Sequence, residues 1–120
     1  MIKRMVLLMA LLAAMSAGDA GAVEKYGVPV YPGAEYDEGT TRYLDDVQYI
    51  EGAAYRTTDD PSAVAEFYVK LGLTPVKGKA KATATFKKDD VEVAIQGPPR
   101  KEIASGKKVE DTLITITKEN

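Results

Sequence analysis

A single helical signature, Asp60–Gly72, stands in a chain whose other periodic stretches alternate with a period of two. Asp60 is placed to cap free amides, and Pro61 takes the first helical position, where no backbone donor is needed. Val64, Phe67, Tyr68 and Leu71 recur at i, i+3, i+4 and i+7, so they share one face. Gly72 suits a left-handed helix end, with Leu73 as the apolar contact beyond it. The spacing predicts one amphipathic helix docked on a sheet, with the Phe67 ring in the core.

The strands around it are read from alternation. Lys81–Lys87 sets Ala82, Ala84 and Phe86 against Thr83 and Thr85, and Val91–Ile95 sets Val91, Val93 and Ile95 against Glu92 and Ala94. Lys88-Asp89-Asp90 between them marks a hairpin that lacks the preferred glycine. Val47–Thr57 reads as a strand with Val47, Tyr49, Ala53 and Tyr55 on one parity and Ile50, Ala54 and Arg56 on the other, Gly52 marking a bulge or bend. The β-branched run Thr112–Thr117 closes the chain as a further strand, with Ile114 and Ile116 on one face. Lys101–Glu110 reads as an exposed loop turning at Ser105-Gly106. Upstream, Val28–Ala34 is extended by its prolines, with Pro32-Gly33 suited to a type II turn, and Thr40–Leu44 is a candidate short strand.

The expected fold class is therefore α+β: one amphipathic helix on a mainly antiparallel sheet of about four strands. Its order is strand, helix, strand, strand, strand, with the last three as a meander.

The N-terminus carries a different message. Lys3 and Arg4 precede the apolar run Met5–Met15, and small residues follow through Ala20-Gly21-Ala22, the layout of a secretory signal peptide. The run is short of the roughly 20 apolar residues that span a bilayer. Residues 1–22 are expected to be a signal cut after Ala22, with Ala20 as the alternative, leaving 23–120 as a single small α+β domain in the periplasm or outside the cell. The chain has no cysteine. A lipid anchor at a new N-terminal cysteine and disulfide stapling are thereby both excluded, and stability must come from an ordinary core.

Composition also removes chemistry. Without His or Cys there is no imidazole base, no thiolate nucleophile, and no imidazole or thiolate metal ligation. Beyond residue 22 the serines are Ser62 and Ser105, and neither lies in a Gly-x-Ser-x-Gly motif. Acidic doublets recur at Asp37-Glu38, Asp45-Asp46, Asp59-Asp60, Asp89-Asp90 and Glu110-Asp111, but at predicted turns, caps and strand ends, where carboxylates support local structure. None follows the alternating pattern of a calcium loop, so no metal, cofactor or catalytic residue is assigned.

Two binding features remain. Lys77, Lys79 and Lys81 alternate, which on an extended backbone gives either an anion-gripping stripe or a lysine-guarded edge strand. All seven tyrosines lie in Val23–Val69, a half with ten acidic and three basic residues. Tyr31, Tyr36 and Tyr43 fall in its turn-rich part and are the candidate platform for a peptide or glycan; partial burial at the core margin is the competing account.

Val30-Tyr31-Pro32-Gly33-Ala34, followed by Tyr55-Arg56-Thr57-Thr58-Asp59-Asp60-Pro61 and a helix with Val64 and Phe67-Tyr68, resembles small exported bacterial proteins of unknown function. The resemblance spans Val28 to about Leu73. It implies a cell-envelope α+β domain and no activity; many such proteins look like lipoproteins, whereas this chain lacks the cysteine. The sequence thus points to an exported, non-enzymatic interaction module whose partner is another envelope protein, a peptide or a glycan. Nucleic acid is not an expected partner for an exported chain, and no stable membrane anchor is expected after cleavage. A carboxylate-based glycan-acting or hydrolytic enzyme is the alternative, and a subunit that lends an edge strand to a partner is a third reading.

Overall fold

A computed structural model describes residues 23–47, 51–77, 83–103 and 105–118. Residues 1–22, which the sequence leads one to expect as a signal, and Lys79 and Lys81 lie outside the described residues. The chain divides into two compact units between Pro32 and Gly33.

In the first unit β1 (Glu24–Lys25) and β2 (Val28–Pro29) form a short hairpin. Its turn residues Tyr26 and Gly27 both have positive φ, 55° and 81°, the backbone that matches strand twist in a two-residue turn. Val28 and Val30 are buried.

The second unit is α+β, with more sheet and one more helix than the sequence suggests. Its elements are β3 (Glu35–Tyr36), α1 (Glu38–Val47), β4 (Glu51–Thr57), α2 (Pro61–Lys70), β5 (Thr74–Pro75), β6 (Ala84–Lys88), β7 (Val91–Gln96), β8 (Arg100–Lys101), β9 (Lys108–Val109) and β10 (Thr112–Lys118). Six strands make the main sheet in the order β3-β4-β10-β7-β6-β5, all pairs antiparallel. The sheet therefore exceeds the expected four strands, because Glu35–Tyr36 and Thr74–Pro75 add two-residue edges too short to show a period. The meander is present: β6, β7 and β10 lie side by side in the sheet in chain order, with β8 and β9 in the connection between β7 and β10, and β4 joins on the far side of β10.

Register explains the core. Ala53, Ile116, Val93 and Phe86 stand opposite one another across β4, β10, β7 and β6, and all four are buried. Paired residues of antiparallel strands share a face, so these four form one apolar row, with Tyr55, Ile114 and Ile95 as the next. α2 lies over this face, its Tyr68 ring 6.3 Å from Phe86.

α2 starts and ends close to expectation. Gly72 N–H donates to the Val69 carbonyl and Leu73 N–H to that of Tyr68, Gly72 has φ 86°, and Leu73 is buried. That is a complete Schellman end. Two details differ. Asp60 caps through geometry alone, with no side-chain hydrogen bond to the helix. The residues buried on α2 are Val64 and Tyr68, while Phe67 is half-buried, its ring set edge-on against Tyr68 at 4.9 Å.

Thr40–Leu44 is helical, not a strand. Asp37 Oδ1 accepts the Thr40 N–H at 3.1 Å and Oδ2 accepts the Thr40 hydroxyl at 3.0 Å. A buried N-cap therefore overrides the β-branched pair Thr40-Thr41. α1 also closes the sheet edge left free beyond short β3. Ala54 N–H donates to Thr41 Oγ1 at 2.8 Å, and Asp37 N–H donates to the Ala54 carbonyl at 2.8 Å. Gly52 marks no bulge; it pairs in regular register with Thr117. A Cβ there would lie 2.9 Å from Thr117 Cγ2 and 3.3 Å from Leu44 Cδ1, so the glycine admits the close approach of α1.

The hairpin turn is Asp89-Asp90, and Asp89 takes φ 56° in place of glycine. Within Lys101–Glu110, read as a loop, part of the chain pairs: β8 and β9 form an arm, Arg100 opposite Val109 and Lys101 opposite Lys108.

Candidate functional site

At one end of the main sheet, β3, β4 and the start of β10 border a cleft of about 150 Å³ lined by Gly33, Glu35, Arg56, Thr57, Thr58 and Asp111. Arg56 is the last but one residue of β4 and stands opposite Glu35 of β3, so both side chains rise from the same face.

Arg56 does not pair with that neighbour. Its Nε donates to Asp111 Oδ2 at 2.6 Å and its Nη1 to Glu102 Oε2 at 2.5 Å. Asp111 in turn receives Arg100, whose Nη2 donates to Oδ1 and whose Nε donates to the Asp111 backbone carbonyl at 3.2 Å. The Arg100 side chain is 1% exposed, that of Asp111 15% and that of Arg56 28%. Bonds to Glu102, then to Asp111, favour the charged guanidinium and raise Arg56 above its ordinary range. Bonds from the Ser105 hydroxyl and then Arg56 hold the Glu102 carboxyl below its ordinary range.

Four charged groups from β4, the β8–β9 arm and the entry to β10 thus neutralise one another and fix the cleft wall. Thr57 and Thr58 follow Arg56 at the end of β4, half-buried and exposed respectively. Thr57 Oγ1 accepts the Asp59 N–H at 3.2 Å, which leaves its own hydroxyl proton available. Glu35 is exposed and makes no ion pair among the described residues.

The tyrosines and lysines singled out in the sequence sit elsewhere. Tyr36 is 57% exposed on β3 and leans edge-on against Tyr55, ring centroids 5.8 Å apart. Burial, and then Tyr36, push the Tyr55 phenol up. Since Tyr36 follows Glu35 along β3, it points to the opposite face from the cleft. Tyr43 is half-buried on α1, Tyr31 half-buried in the first unit, and Lys77 exposed just beyond β5. The cleft residues Arg56, Thr57 and Thr58 are consecutive in the chain, but their convergence with Asp111 depends on the pairing of β4 with β10.

The acidic doublets serve several structures. Asp37 caps α1, Asp89-Asp90 makes a turn, Asp45, Asp46, Asp59 and Asp60 are exposed, and Asp111 anchors two arginines. No group of three or more His, Cys, Asp or Glu among the described residues is placed to hold a metal, and no helix among them is long and apolar enough to cross a membrane. No family model, curated protein or solved structure matches this chain.

Proposed function

We propose that the protein is a non-enzymatic binding module of the bacterial cell envelope, and that the cleft beside Arg56 receives part of a peptide, glycan or envelope protein. The observation that carries this reading is the held guanidinium at the cleft wall, with bonds to Glu102 and Asp111. Fixing a long side chain before the ligand arrives removes ordering entropy from the binding step. Thr57 and Thr58 add adaptable hydroxyls, and the volume fits one end group or sugar ring.

An acid/base enzyme reading has less support. Glu35 and Asp111 both line the cleft, but Asp111 has both oxygens occupied by guanidinium groups. Glu102 is moved downward, the opposite direction from the one a general acid needs near neutral pH.

Amide-resolved NMR titration with a pool of short peptides and a pool of oligosaccharides tests the proposal. Saturable shifts at Gly33, Thr57 and Thr58 are expected; no response there to either pool at about 10 mM, where interactions are worth less than about 3 kcal/mol, refutes it. Cell fractionation with intact-mass measurement tests the location: a periplasmic or secreted product beginning at Val23 or Gly21 is expected, and a cytoplasmic chain retaining Met1 overturns it.

A further inference from the structure

The charge balance around the cleft selects among ligands, and this selection rests on the binding reading above. Arg56 and Arg100 are matched by Glu102 and Asp111. Among the residues that line the cleft, Glu35 is the remaining charge. It faces Arg56 across the β3–β4 pair, yet the guanidinium turns to the other two carboxylates, so Glu35 has no counter-ion among the described residues.

An arriving anion would raise the local excess of negative charge, whereas an arriving cation cancels it. The acceptors agree: Glu35 offers its carboxylate, Thr58 its hydroxyl oxygen, and Thr57 Oγ1 the lone pair that the Asp59 N–H does not use. Size narrows the choice further. A cleft of about 150 Å³ has room for an end group. We infer that the cleft binds a primary ammonium group of a peptide, with Glu35 as its counter-ion and the threonine hydroxyls as further acceptors.

A lysine side chain and a free amino terminus supply the same group, so the test must separate them. The full-length protein is titrated by NMR, following the amides of Gly33, Thr57 and Thr58. The probes are N-acetyl-lysine amide, alanine amide, neutral N-acetyl-alanine amide and anionic N-acetyl-alanine. One or both ammonium probes should shift these amides saturably while the neutral and anionic probes do not, and whichever binds names the source. Glu35→Gln should weaken that binding about two- to fivefold, the range for an exposed ion pair, and Glu35→Lys should abolish it. Equal response to the neutral probe, or preference for the anion, overturns the ammonium assignment and leaves the binding module standing with Arg56 as the reading group. Ammonium binding unchanged in Glu35→Gln also overturns it. Silence from these probes together with silence from the peptide and sugar pools refutes both.

Discussion

Asp111→Asn probes the centre of the charged cluster. The substitution preserves shape but removes the charge that serves Arg100 and Arg56, and it turns one acceptor into an amide donor facing a guanidinium. Arg100 is the group at risk, since its side chain is 1% exposed and water cannot replace the lost partner. Breaking a buried pair from one side costs about 3–5 kcal/mol. The lower end applies, because Asp111 is 15% exposed, Arg56 keeps Glu102, and Arg100 keeps the backbone carbonyl, so the expected loss is about 3 kcal/mol. With a urea slope of about 1–3 kcal/mol/M, the midpoint should fall by about 1–3 M at unchanged slope. The control is Glu38→Gln, which breaks the Arg42 pair at 66% and 71% exposure and should cost no more than about 0.5 kcal/mol. Replacing Arg100 by Met and Asp111 by Leu together should recover most of the loss, since an apolar pair carries no desolvation cost. A loss below about 1 kcal/mol for Asp111→Asn would refute the reasoning and place the cluster in effectively solvated surroundings.

Other outcomes follow from packing and linkage. Tyr68→Ala should cost about 3–5 kcal/mol in thermal or urea unfolding and Phe67→Ala clearly less, because Tyr68 is fully buried and Phe67 is not; the reverse ranking would contradict the placement of α2. Thr41→Val leaves Ala54 N–H without its acceptor and should cost about 1–3 kcal/mol, with faster hydrogen exchange at that amide as the specific sign. Gly52→Val pushes a branched side chain against Thr117 and Leu44 and should cost about 1–3 kcal/mol, whereas full stability would show that α1 is not closely packed there. For Glu102 the folded value lies below the unfolded one, so its stabilisation is fully present above the ordinary glutamate value of about 4.3 and is lost as pH falls through the lower folded value. The melting-temperature gap between the wild type and Glu102→Gln should be constant near neutrality and close in acid, and a gap that persists at pH 2 would contradict the linkage.

Legibility in the sequence followed how local each interaction is. The end of α2 was readable because Gly72 and Leu73 act within one turn of the helix they stop. The β6–β7 hairpin was readable because both strands alternate and only two residues separate them, although Asp89 took the left-handed position in place of glycine. Within α1, Thr40–Leu44 reads in the sequence as a candidate short strand because Thr40-Thr41 favour extension by themselves. The available signal was Asp37 three residues ahead of Thr40, an N-cap spacing whose strength comes from burial. Phe67 was assigned to the core on helical spacing alone, which cannot say how far around the helix the covered face extends.

The sequence by itself determined an α+β chain without cysteine or histidine, and so a fold stabilised by its core and a site without imidazole or thiolate chemistry. It also determined α2 with its glycine stop and the β6–β7 hairpin, because these are set by contacts between near neighbours, and it marked β10 by its β-branched run. Only the tertiary structure decided the cleft. Arg56 and Asp111 are 55 positions apart, and no periodicity links them; their meeting depends on β10 lying beside β4 in the register that pairs Thr112 with Thr57. A shift of one residue would send Arg56 to the other face relative to its partners. The same pairing decides that Arg56 turns away from Glu35, leaving a carboxylate at the cleft whose available charge no reading of the linear chain could have assigned.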